Sequence, residues 1–274
     1  MNELLSYAFF RHALLGSLLT ALVCGIVGTY IVARRMVFIS GGLTHASFGG
    51  LGLGFYFHIN PILTALGFSI LAAFGVQRLN DNQQREDAVI ASVWSLGMAI
   101  GIIFTFLSPG YAPSLSSYLF GNILLITSTD LIAMAILAIV LILFFVLFKR
   151  EIIYTAFDRN FAFTQGLPVH LIEYTMMFFI AVTLVLSIRM VGIMLLMSVL
   201  TLPQMTLNNY TSDYQTMMIG SILIGFVGCL SGLALSYLYN IPSGALIVFV
   251  LVFFFFLSTA IQRLRQRINC NPKN

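Results

Sequence analysis

The sequence predicts an all-α integral membrane protein: a polytopic bundle of about eight or nine transmembrane helices, with one further short helix on the cytoplasmic side. Three observations carry this. Of the 274 residues, 59% are hydrophobic and only 8% charged, with a mean hydropathy of +1.00. Such a composition excludes both a disordered chain and a soluble core. The apolar residues fall in stretches close to the roughly 20 residues that a helix needs to cross a bilayer. Basic residues, finally, gather in alternate connections, as they do in cytoplasmic loops.

Taken in order, the apolar stretches cover residues 13–33, 43–58, 61–77, 88–107, 125–148, 171–188, 191–207, 216–238 and 244–262. The first has no basic leader and reaches Ala33-Arg34 without a small-x-small cleavage pattern, so it is expected to remain as a span. The sixth and seventh meet at Arg189-Met190-Val191-Gly192. There the chain either turns at the surface or breaks inside the membrane as a re-entrant element, which leaves eight or nine crossings.

Of the thirteen Lys and Arg residues, eleven fall on one side of this arrangement: Arg34, Arg35, Arg78, Arg85, Lys149, Arg150, Arg159, Arg263, Arg265, Arg267 and Lys273. Only Arg11 and Arg189 fall opposite. The amino terminus is therefore expected outside, and the carboxyl terminus, a basic tail at 263–274, in the cytoplasm. The net charge of +4 then follows from topology and gives no sign of a nucleic-acid partner. With no tandem repeat and no long linker, residues 1–274 read as one membrane domain.

The absences narrow the function. A phosphate-binding loop needs a lysine after its glycines, and neither Lys149 nor Lys273 sits in one. Any ATP hydrolysis would belong to another subunit. No paired carboxylates, Ser-His-Asp set or Cys-His pair suggests an enzyme. Cys24, Cys229 and Cys270 lack metal-ligand or redox spacing and read as packing residues, while Trp94 and the phenylalanines read as lipid-facing or packing groups.

Two connections on the basic side interrupt the apolar pattern. Residues 77–87 read as a solvated loop whose Glu86 and Asp87 are placed to start the next helix, where carboxylates favour the dipole. Residues 149–170 carry more information. Asp158 can cap a short helix, Phe157, Phe161 and Phe163 give it apolar surface, and Gly166-Leu167-Pro168 stops it. Such a helix either lies on the bilayer or docks into a partner.

Small residues recur at helix-packing intervals: Gly97 and Gly101, then Ser221, Gly225, Gly228 and Gly232. Packing within one subunit is the favoured reading over a dimer seam. In the second stretch and the residues just before it, Phe38, Gly41, Gly42, His45, Gly49 and Gly52 share one helix face, so His45 projects from a small-residue strip into the bundle. A histidine at membrane depth either bonds a neighbouring carbonyl or acts as a ligand or gate. His58 reads as exposed at the outer end of that span, with His12 and His170 near the surface.

These segments, in this order, resemble the membrane permease subunits of ATP-driven importers for zinc, manganese and ferrous iron. The resemblance lies in Arg34-Arg35-Met36 followed by Leu43-Thr44-His45-Ala46-Ser47, in Ser117-Tyr118-Leu119-Phe120-Gly121-Asn122-Ile123-Leu124, and in Phe157-Asp158-Arg159-Asn160-Phe161-Ala162 with Gly166-Leu167-Pro168-Val169. It continues through Val191-Gly192-Ile193-Met194-Leu195, Leu202-Pro203 and Tyr239-Asn240-Ile241-Pro242-Ser243-Gly244-Ala245.

The resemblance implies a homodimeric pore in the inner membrane of a prokaryote. Separate ATP-binding-cassette ATPase subunits would dock beneath it, and an extracytoplasmic metal-binding protein would deliver a bare divalent cation from above. No cofactor is expected on this chain, and ATP is used by the partner. Phe157, Asp158, Arg159, Phe161 and Gly166 correspond to the helix that couples the ATPase to the pore, and His45 to a translocation-path metal ligand. Two positions depart from the family: Gly41 and Asn122 stand where relatives usually have aspartate. A hard Mn²⁺ prefers carboxylate oxygen, whereas imidazole suits Zn²⁺ and Fe²⁺, so the departures weaken the case for manganese. Symmetry would supply a second imidazole if each His45 approaches the dimer axis. The competing readings are an ion-coupled carrier, a non-transporting scaffold and a permease for a metal chelate. A carrier would be expected to hold several intramembrane carboxylates, whereas Asp130 and Glu173 lie near span ends.

Overall fold

The computed structural model describes residues 8–81, 85–108 and 126–269, with the side chains of residues 8, 9 and 267–269 left aside. Among these residues the chain forms helices only: α1 (Ala8–Ala33), α2 (Val37–Tyr56), α3 (Pro61–Asp81), α4 (Glu86–Leu107), α5 (Ser128–Leu147), α6 (Lys149–Phe157), α7 (Arg159–Thr164), α8 (Val169–Val191), α9 (Ile193–Asn208), α10 (Tyr214–Tyr239) and α11 (Ser243–Asn269). Seven of them, α1, α3, α4, α5, α8, α10 and α11, are long and apolar enough to cross a membrane. The chain is a polytopic all-α membrane protein.

Local chemistry fixes where the helices begin. Asn60 caps α3 by accepting from the Ile62 N–H, ahead of a proline at the first helical position. Thr127 and Asp130 form a reciprocal capping box at α5, and Asp213 accepts from Thr216 at α10. Glu86 and Asp87 occupy the first turn of α4, as the sequence suggests.

α2 begins at Val37, six positions ahead of the stretch expected from hydropathy. Its six glycines, its hydroxyl residues and His45 dilute the apolar signal along its 20 residues. The hydroxyls are nonetheless satisfied on the helix itself, since Ser40 donates to the Val37 carbonyl and Ser47 to the Thr44 carbonyl. The glycines let α2 lie against α4 almost backbone to backbone. A Cβ on Gly97 would sit 2.4 Å from the Ala46 Cα, and one on Gly101 2.6 Å from the Phe48 carbonyl oxygen. The second small-residue series, Gly228 and Gly232, packs against Leu251 and Ile247 of α11. Both series therefore serve packing within the chain.

The junction at Arg189–Gly192 is a break inside the protein. Gly192 has φ 76° and ψ 167°, which only glycine adopts without strain, and Val191 and Ile193 on either side are each 1% exposed. Its N–H donates to the Ile188 carbonyl and its own carbonyl accepts from Leu196, so no backbone group is stranded. α1 and α8 form the centre, with 78% and 67% of their apolar windows buried, against 22–33% for the other spanning helices. Cys24 and Cys229 are packed away completely.

Contacts at the two ends show that successive long helices run in alternating directions. At one end His12 meets the Ile126 carbonyl and Arg189 pairs with Asp130 at 3.1 Å. At the other, Arg34, Asp81, α6, α7 and the start of α8 come together, and the α9–α10 turn joins α11 through Asn209 and Ser258. This second end is the basic one.

Candidate functional site

The segment expected to couple the chain to a partner consists of two helices, and the sequence foresaw only one. α6 follows α5 without a loop, and Asp158, in extended conformation, breaks it from α7. The Asp158 carboxylate accepts from the Phe161 N–H at 3.0 Å. Gly166, at φ 71°, ends α7 in a Schellman turn: its N–H bonds the Phe163 carbonyl and the Leu167 N–H bonds that of Ala162. Capped at both ends, the short helix holds Phe161 and Phe163 outward at 47% and 45% exposure beside Phe157, the last residue of α6, at 56%, while Ala162 is fully buried beneath.

Arg159 behaves differently from the phenylalanines beside it. Its guanidinium turns inward, pairing with Asp81 at the end of α3 and reaching Glu173 in α8 at 3.0 Å. Glu173 is the hub of a buried cluster. It accepts from Arg34 at 2.6 Å and from Gln77 at 3.0 Å, and its side chain is wholly inaccessible. Arg34 also donates to the Thr155 carbonyl of α6. Residues 77–81 are thus helix and cluster, and the reading of them as plain solvated loop fails: Gln77 is 1% exposed because it is held by Glu173.

Asp81, His170 and Glu173 lie close enough to hold a metal ion by distance alone. The guanidinium of Arg159 already occupies both carboxylates, and two arginines balance two carboxylates. The cluster is therefore an ion-pair network, in which breaking one buried pair costs about 3–5 kcal/mol.

His45 has the opposite character. It stands midway along α2, its ring stacked on Trp94 of α4 at 4.4 Å between centroids and 5° between planes. Its Nδ1 is buried and has no hydrogen-bond partner among the described residues. The carbonyl-bonded alternative therefore fails at that nitrogen, which keeps a lone pair or a proton for something else. Trp94 earns a place beside the candidate ligand that its sequence context did not signal. One turn before His45, the space a side chain at Gly41 would use is bordered by Met197, whose methyl lies 3.0 Å from the would-be Cβ, and by Trp94.

His58 is exposed and His170 is largely exposed, as the sequence suggested. The Ser117–Leu124 motif with Asn122, together with Cys270 and Lys273, lies outside the described residues. Between the α1–α2 turn, α6 and α9, a cavity of about 790 Å³ opens at the basic end, lined by Arg34, Arg35, Phe38, Thr155, Arg159 and Met205 among others.

Comparison with known proteins identifies the family. The model of the ABC 3 transport family matches residues 6–262. An uncharacterized membrane protein of Synechocystis sp. is 40% identical over 96% of this chain and 94% of its own length. The manganese transport system membrane protein MntC of Listeria monocytogenes is 30% identical over 94% and 92%. Among solved structures, PsaBC from Streptococcus pneumoniae in complex with Fab aligns with a TM-score of 0.82 at 27% identity, over 94% of this chain and 93% of that one. With residues 6–262 matched by the family model, this protein belongs to the ABC 3 transport family.

Proposed function

We propose that the chain is the permease subunit of an ATP-driven importer of a divalent transition-metal ion, working as a single membrane domain over residues 1–274 and as a homodimer. Among the described residues, seven spanning helices together with α2 and α9 would make nine crossings, with α9, at 16 residues, the shortest. The basic end faces the cytoplasm, which puts the amino terminus outside. There the end of α6 offers Phe157 and α7 offers Phe161 to the ATPase subunit, with Asp158 and Gly166 fixing the ends of α7 and Arg159 anchoring it. An extracytoplasmic binding protein supplies the ion at the other end.

The observation that carries this reading is the imidazole of His45: a membrane-depth ring whose Nδ1 has no hydrogen-bond partner among the described residues, set in a strip of small residues. Its supports are the family match and the relatives named for manganese and metal transport. A coupled carrier is disfavoured, since the acidic side chains of the described spans, Asp81, Glu86, Asp87, Asp130 and Glu173, all lie near helix ends. The protein neither binds ATP nor catalyses a reaction in this reading.

The test is total cellular manganese, zinc and iron in a strain lacking the gene, grown under metal limitation, with the intact chain restored alone or beside an ATPase subunit disabled in its phosphate-binding lysine. Recovery of one metal that depends on the active ATPase identifies the cargo. Recovery with the disabled ATPase would favour a carrier, and no recovery would favour a scaffold.

A further inference from the structure

Three features at the basic end belong to no established role. Arg159 is the first residue of α7, directly after the cap that positions the exposed phenylalanines, yet it points away from the docking face and into the protein. Glu173 receives it at 3.0 Å and, through its other oxygen, holds Arg34 at 2.6 Å. Arg34 sits in the turn between α1 and α2, three residues before the helix that carries His45. An unbroken chain of charge-assisted contacts therefore runs from the segment that meets the ATPase to the root of the helix that bears the candidate metal ligand.

Stability alone does not explain this chain, because buried ion pairs can generally be replaced by well-packed apolar residues at little or no loss. The cluster is also incompletely satisfied. Arg159 Nε and Thr155 Oγ1 are buried without partners among the described residues, and both residues border the 790 Å³ cavity. Unused bonding groups beside free space are what a network with a second arrangement requires.

We propose that Glu173 is a positioning residue for transport, relaying displacement of α7 through Arg159 and Arg34 to α2. This rests on the permease reading above. When the ATPase subunits move α7, the carboxylate transmits the shift because it is held from both sides and is enclosed by rigid helices. Asp81 steadies Arg159 from α3 and reinforces the relay without completing it.

The test uses the full chain with its ATPase subunit in vesicles, supplied with Mn²⁺ and Zn²⁺ on the extracytoplasmic binding protein, and records ions moved per ATP hydrolysed. Glu173→Gln keeps the shape of the side chain and removes its charge. The expected result is continued hydrolysis with a fall in ions per ATP of at least about fivefold, the low end of ordinary coupling strengths. Asp81→Asn, which leaves Glu173 to hold Arg159, should give a smaller fall. An unchanged ratio in assembled Glu173→Gln overturns the proposal. Should Glu173→Gln fail to assemble, Asp81→Asn decides: a lowered ratio supports the relay, and an unchanged one overturns it. If the unaltered complex moves no metal with ATP, the permease reading fails instead.

Discussion

Two polar sites lie inside this apolar chain, and they are built on opposite principles. Around Glu173 two guanidiniums, a second carboxylate and an amide converge at hydrogen-bond distance, so the charges are spent on one another. Around His45 lie the aromatic rings of Trp94 and Phe48 and, along its own helix, glycines, and Nδ1 has no partner among the described residues. The comparison separates two uses of an intramembrane polar group. Charges spent on one another tie elements together, whereas an unpaired nitrogen keeps bonding capacity for a ligand.

Stability gives the largest contrast. Replacing Glu173 by leucine leaves Arg34 and Arg159 uncompensated and should cost about 3–5 kcal/mol. His45→Ala breaks no hydrogen bond and should cost about 1 kcal/mol, the value of a lost aromatic contact. Thermal unfolding of the two variants in the same detergent checks this, and equal losses would erase the distinction. Docking comes next. Phe161→Ala should weaken association with the ATPase subunit roughly tenfold or more, as truncation of an exposed aromatic anchor does. Titration of labelled ATPase against the reconstituted chain measures it, and unchanged affinity would return α7 to the bilayer surface.

The metal preference sharpens the His45 side. Gly41→Asp adds a carboxylate one turn before the imidazole, and the obstructing atom is the flexible end of Met197, which can yield. Uptake of Mn²⁺ relative to Zn²⁺ should rise severalfold, since carboxylate oxygen suits manganese; an unaltered ratio would put residue 41 outside the path. The smallest effect is that of pH. Only the neutral ring of a histidine binds metal, so uptake should fall modestly on acidifying the outside from pH 7 to 5. The cap of α10 does not confound that measurement. Hydrogen bonds from the Thr216 hydroxyl and N–H hold the Asp213 carboxylate below its usual range, so its contribution is full above the unfolded value and is lost only as pH falls through the lower folded one. Constant uptake over this range would speak against His45 as a ligand.

How much of this was legible in the sequence differs between the two sites. The small-residue strip and His45 are neighbours along one helix, so periodicity exposes them. Asp158 and Gly166 likewise announce a cap and a stop, and the structure places both in those roles. The Glu173 cluster was invisible because its members are separated by as many as 139 positions and meet only when α1, α3, α7 and α8 pack. Gln77 and Asp81 looked like solvated loop for the same reason. Trp94 could not be linked to His45 without the close approach of α2 and α4. The early start of α2 was hidden by glycines, which lower hydropathy without preventing a helix buried among others. Asn60-Pro61 and Thr127-x-x-Asp130 were readable capping signals that mark the starts of α3 and α5 more sharply than hydropathy does.

The most direct measurement is ATP-driven uptake of Mn²⁺ and Zn²⁺ into vesicles containing the complex with either the unaltered chain or His45→Ala, normalised to assembled complex. The account predicts that His45→Ala assembles and melts almost normally yet loses at least about tenfold of the uptake rate, the scale set by removing a group that tunes a metal site. Uptake at the unaltered rate for both ions would contradict it and reduce the unpaired imidazole to a packing residue.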